Sequence, residues 1–144
     1  MERFAFGSFV ALNEDDAPQM LQRMTDGDLP VDGSRYGIAS RLIARRGTQV
    51  SELAAATLAK LIQTVAIPGG QLGGLVLSSR IVEPTDAAQN AAEQLGLTCH
   101  VEGIERACSG FPAAIRRAMD LYQELQKPVA VAAAEIISRS INWE

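Results

Sequence analysis

Leu75-Val76-Leu77, at the centre of Leu72 to Val82, is an unbroken apolar run with segments of helical periodicity on either side. Apolar character without alternation fits a strand covered on both faces, the condition of strands in parallel sheets layered with helices. Before it, Ser51 with Glu52 opens a helix in which Leu53, Ala54, Thr57, Leu58, Leu61, Ile62 and Val65 recur at helical spacing, and Pro68-Gly69-Gly70 marks a stop. After it, Pro84-Thr85-Asp86 supplies a turn and a capping residue for a helix over Ala87 to Leu95, closed by Gly96. A strand over Thr98 to Glu105 follows, then a helix from Ser109 to Leu125 that stops at Lys127-Pro128, then a strand over Val129 to Ile137 rich in Ala and Val. Phe4 to Leu12 reads as a further strand, and Asn13 to Asp16 as a polar turn or helix start. The alternation predicts an α/β fold, a mostly parallel mixed sheet with helices packed on it.

With 144 residues and 47% hydrophobic content, the chain can bury one core as a single domain over residues 1–144. A net charge of −4 and a pI near 5.0, with arginines dispersed along the chain, provide no electrostatic footprint for nucleic acid. Cys99 and Cys108 make neither a metal-ligand pattern nor a disulfide framework, so no metal is expected and a reducing compartment is. Neither a signal-like leader nor an apolar run of spanning length appears, and the expected location is cytoplasmic. The acidic cluster Glu14-Asp15-Asp16 reads as a solvated helix start.

Cys108 is the candidate catalytic residue. It falls between the strand-like Val101-Glu102-Gly103-Ile104-Glu105 and a long helical pattern, where exposed backbone N–H groups and the positive end of the helix dipole favour thiolate over thiol. Free cysteines are commonly small buried hydrophobes. Here Ser109-Gly110-Phe111 adds a glycine that permits close backbone approach, and the position reads as a nucleophile. Thr25 to Arg46 is dense in turn signals and carries four arginines, Arg35, Arg41, Arg45 and Arg46, so it reads as a surface loop able to face an anionic ligand.

Glu105-Arg106-Ala107-Cys108-Ser109-Gly110-Phe111, followed by a helix and by Val129-Ala130-Val131-Ala132-Ala133-Ala134-Glu135, resembles the nucleophile region of β-ketoacyl-acyl carrier protein synthase III and its thiolase-like relatives. Arg35-Tyr36-Gly37-Ile38 with Arg41-Leu42-Ile43-Ala44 looks like that family's Arg-Thr-Gly-Ile segment near the coenzyme A entrance. Leu75-Val76-Leu77-Ser78-Ser79, Pro84, Ala88-Gln89 and Leu95-Gly96-Leu97 are similar to its second strand and the helix after it. The order and spacing agree over nearly all of the chain, so the resemblance implies the N-terminal half of a thiolase-like fold.

The resemblance also implies an activity. Cys108 would take an acyl group from a thioester and pass it to a carbanion made by decarboxylating a malonyl thioester, with the Cys108 N–H a candidate oxyanion donor. Arg35 and Arg41 would bind the acyl donor, which is acyl-coenzyme A or an acyl carrier protein; these are substrates, and no cofactor is implied. The family often places a tryptophan before the arginine matched by Arg35, and here that stretch reads Pro30-Val31-Asp32-Gly33-Ser34. That departure implies either weak coenzyme A binding or a carrier protein as the acyl donor, whose acidic surface suits Arg41, Arg45 and Arg46, unless these three are ordinary solubilising surface.

Two departures bear on completeness. The family's histidine and asparagine, which promote decarboxylation, belong to a second half of the fold. The single histidine here, His100, sits on the strand before the nucleophile and reads as a solvent-facing or core-edge residue; Asn90 and Asn142 have no motif support. The stretch Ser138 to Glu144 falls where the family enters a glycine-rich hairpin, which leaves an unfinished sheet edge. The expectation is a second chain supplying the C-terminal half and oligomerisation. The alternative is a noncatalytic structural or chain-length-setting subunit of a condensing enzyme complex.

Overall fold

The computed structural model describes residues 20–29, 33–67 and 69–141; the expected strand Phe4 to Leu12 and turn Asn13 to Asp16 lie outside them, as does Asn142. In chain order the elements are β1 (Leu21–Thr25), β2 (Ser40–Ala44), α1 (Val50–Val65), β3 (Gly74–Ser78), α2 (Pro84–Gln94), β4 (His100–Ile104), α3 (Gly110–Leu125) and β5 (Val129–Ala133), with short 3-10 turns between. β3 is the middle strand of a parallel sheet ordered β4-β3-β5, with Gly74 opposite both His100 and Val129. Leu75, Val76 and Leu77 have no exposed surface, as the unbroken apolar run requires.

Strand alternation splits the core into two layers. Leu75 and Leu77, with Ala130 and Ala132, pack under α1 and α2; Val76, with Ile104, Val129 and Val131 beside it, packs under α3. Alanine makes the helices fit closely. α2 buries Ala87, Ala88, Ala91 and Ala92, and α3 buries Gly110, Ala114, Ala118 and Leu121 at four- and three-residue spacing. Opposite α2, Gly103 of β4 has no side chain; a β-carbon there would run into the backbone of Pro84 and Thr85. This close approach explains a glycine in the middle of a strand.

Several boundaries shift from the sequence reading. α1 is capped by Gln49, whose N–H donates to Glu52 at 2.6 Å, and it ends at the left-handed Ala66 (φ 51°), before the Pro68-Gly69-Gly70 stop. For α2 the cap is Glu83, ahead of the Pro84-Thr85-Asp86 stretch expected to supply it, with Pro84 in the first turn, where its missing N–H removes nothing. Gly96 does close that helix, at φ +63°. The outer sheet strands are shorter than expected: β5 ends at Ala133, and Ile137–Ser140 is a 3-10 turn.

Thr25 to Arg46 is not an irregular loop. β1 and β2 form an antiparallel hairpin in which Met24 faces Arg41 and Arg23 faces Leu42. Inside the connecting turn, the Thr25 hydroxyl donates to Asp28 at 2.7 Å and holds that carboxyl below its usual range. The hairpin joins the body through Met20, whose carbonyl accepts from the Arg45 N–H at 3.0 Å and from the Thr48 hydroxyl at 3.3 Å. From the far end of the chain, Arg139 donates to the Thr48 carbonyl.

Candidate active site

Parallel strands place their carboxyl ends, and the loops that leave them, on one side of the sheet, and ligand sites in such folds form there. Cys108 is on that side. It lies in the exposed turn Ala107–Ser109 between β4 and α3, as a free thiol, directly before the helix cap Ser109. The turn is closed by the Gly110 N–H, which donates to the Ala107 carbonyl at 3.0 Å, and the helix starts with Ala113 N–H to Ser109 carbonyl at 3.1 Å. The junction expected from sequence is therefore present, with the helix beginning two residues after the sulfur.

Beneath the turn the end of β3 forms a floor. Ser78 is buried, and Gly110 comes so close to it that a β-carbon on the glycine would overlap the serine oxygen. Past the strand ends the chains stay joined: Ser79 N–H donates to Ile104 at 3.2 Å, and Ala134 N–H to Ser78 at 3.2 Å. The Arg80 N–H donates to the Glu135 carboxylate at 2.7 Å and secures the loop after β3. Ser79 is fully enclosed, and its hydroxyl has no hydrogen-bond partner among the described residues.

On the α3 face of the sheet, Arg117 grips Glu102 of β4 with two parallel bonds of 2.7 Å and reaches Glu124 at 3.0 Å. A fork-to-fork pair of this kind is strong and directional. Arg117 pulls the Glu102 carboxyl down to about 2, and the His100 imidazole at 2.7 Å adds to the effect. The same contacts hold the Arg117 guanidinium charged more firmly than usual. Sequence reading missed this network, as it missed Ser78 under Gly110 and Glu135 behind Arg80. The available signals were a carboxylate inside a half-buried strand and an arginine bordering the buried stripe of α3.

His100 falls where expected, a half-exposed residue at the amino end of β4, the end opposite the Cys108 turn. Arg35 and Arg41 are exposed on the hairpin, in the 3-10 turn and on β2 respectively. Among the described residues no hydrogen bond or ion pair joins either of them to the Cys108 turn. An open groove of about 510 Å³ lies at the amino ends of the strands, lined by residues including Leu72, Thr98, Cys99, His100 and Lys127, and it does not include Cys108. Burial pushes the Cys99 thiol up. Among the described residues no group of His, Cys, Asp or Glu could hold a metal ion, and no helix is long and apolar enough to cross a membrane.

No family model matches the chain. Curated proteins do: β-ketoacyl-[acyl-carrier-protein] synthase III of Ruegeria pomeroyi is 31% identical over 114 residues, covering 76% of this chain and 35% of that protein. The enzyme of the same name from Wolbachia pipientis subsp. Culex pipiens is 30% identical over 115 residues, covering 76% of this chain and 36% of that protein. The chain is a relative of β-ketoacyl-acyl carrier protein synthase III. It spans about a third of the length of these curated relatives. The solved β-ketoacyl-acyl carrier protein synthase III of Thermus thermophilus superposes with a TM-score of 0.71 at 21% identity, over 85% of this chain and 42% of the other. The fold is therefore part of the thiolase-like fold of the synthase III enzymes, with a three-stranded parallel sheet and its helices.

Proposed function

We propose that the chain is the nucleophile-bearing, N-terminal half of an acyl-transferring condensing enzyme of the β-ketoacyl-acyl carrier protein synthase III type, in fatty acid or specialised metabolite biosynthesis. The observation that supports this best is Cys108, a free and exposed thiol in the turn at the carboxyl side of the parallel sheet, just ahead of α3. In the first step the Cys108 sulfur attacks the thioester carbonyl. A carbon–sulfur bond forms to the enzyme, the bond to the donor's sulfur breaks, and the donor leaves as a thiol after taking up a proton. In the second step a malonyl thioester loses carbon dioxide, and the resulting carbanion attacks the acyl-enzyme carbonyl, which frees Cys108. The N–H of Cys108 is the candidate donor to the oxyanion.

The acyl donor is acyl-coenzyme A or an acyl carrier protein. Arg35 and Arg41 receive the donor's anionic groups, and Arg45 and Arg46 extend the same basic hairpin. Decarboxylation requires groups beyond this set, because His100 lies at the end of β4 opposite to Cys108. We assign that role to a histidine and an asparagine in a C-terminal half of the fold.

The test combines the chain with the polypeptide carrying that half, an acyl thioester and a malonyl thioester. The expected result is release of carbon dioxide and a 3-oxoacyl product, both lost on Cys108→Ala. Product formation that persists in Cys108→Ala would reassign the chain as a noncatalytic or chain-length-setting subunit.

A further inference from the structure

The turn that carries Cys108 is exposed from Glu105 to Ser109, so little packing of its own fixes its shape. Its geometry depends on where β4 enters and where α3 leaves. Three contacts set those positions: the Gly110 N–H to Ala107 bond at 3.0 Å, the close seat of Gly110 on Ser78, and the two-pronged ion pair between Glu102 and Arg117. The ion pair spans the two elements directly, joining the middle of β4 to the middle of α3. We propose that Glu102 and Arg117 are positioning residues for Cys108, forming a bracket that locks the nucleophile's turn by fixing α3 against β4.

The chemistry of the pair supports this. A guanidinium with two parallel bonds to a carboxylate fixes direction as well as distance, which a single-point contact does not. Glu124 holds a further guanidinium nitrogen at 3.0 Å, and His100 meets the Glu102 oxygen that Arg117 also uses, so neither partner of the bracket is left to swing. α3 is 16 residues long, and a rotation of it about its seat on the sheet moves its first turn, where small displacements of a nucleophile cost up to ~10²-fold in rate. The proposal rests on the role given above to Cys108.

Two readouts separate the bracket from that role. Hydrogen exchange, followed by peptide in the wild type, Arg117→Met, Glu102→Gln and Arg117→Lys, needs no acyl transfer. We expect amides 105–111 to exchange at least ~5-fold faster in Arg117→Met and Glu102→Gln, with α1 and β3 unchanged. Arg117→Lys, which keeps charge but loses the fork, is expected to fall between, and Arg116→Met, on the exposed side of α3, to match wild type. Acylation of Cys108 at saturating thioester is expected to slow by about tenfold in Arg117→Met with little change in the thioester concentration for half-maximal rate. Unchanged exchange over 105–111 in folded Glu102→Gln, or faster exchange everywhere at once, overturns the bracket. Absence of acylation in the wild type contradicts the function proposed for Cys108, and the exchange data still decide the bracket.

Discussion

Gly110 and Ser78 are in such close contact that a single methyl group on the glycine would occupy the space of the serine hydroxyl. The relationship joins the first residue of α3 to the last residue of β3, and it sets the depth at which the Cys108 turn sits over the sheet. Gly110→Ala is expected to destabilise the protein by about 1–3 kcal/mol through overpacking. In a Ser78→Ala background the nearest remaining Ser78 atom would be its β-carbon at 3.5 Å, an ordinary contact, so most of that cost should vanish. Urea denaturation of the four proteins measures the coupling; additive effects would contradict the close seat.

Gly103 offers no such rescue, because the obstacles are backbone atoms of Pro84 and Thr85. Gly103→Ala must push α2 off β4, and the expected loss is about 3 kcal/mol or more. A variant with wild-type thermal stability would contradict this packing.

The two helix-on-sheet layers were legible from residues alone, because Leu75-Val76-Leu77 has no polar alternation and the helices repeat their small apolar residues at helical spacing. The hairpin was not. Arg23 and Arg41 occupy its strands and turn residues fill its centre, so neither period 2 nor an apolar face marks it; its strands exist through their pairing with each other. The same distinction holds in the candidate site. Cys108 was visible as a local strand-to-helix junction, whereas Ser78 under Gly110 and Glu102 against Arg117 depend on which helix face meets which strand register. That information lies in tertiary packing, 15 residues apart for the ion pair.

Acid should weaken the Glu102–Arg117 pair in a defined window. The folded carboxyl titrates at about 2 against an ordinary 4.5, so its stabilisation is complete above the ordinary value and is lost as pH falls through the folded one. The stability difference between wild type and Arg117→Met is therefore expected to be constant from about neutral pH down to roughly 5 and to shrink below that. Urea midpoints across this range check it; a difference that grows on acidification would contradict the assignment.

The two thiols should differ toward a small alkylating reagent. Cys108 is exposed, whereas Cys99 is partly buried and its thiol is pushed up by desolvation. With limiting iodoacetamide, peptide mapping should show Cys108 modified first, and Cys99 gaining ground only on denaturation. Preferential labelling of Cys99 in the folded protein would contradict the placement of both residues.

Whether Cys108 is the acyl acceptor is measured most directly by site-resolved mass spectrometry after brief incubation with an acyl thioester. One acyl group is expected on the peptide containing Cys108, none on that containing Cys99, and no adduct in Cys108→Ala; an adduct located elsewhere, or none with any acyl donor in the presence of the complementary half, would contradict it.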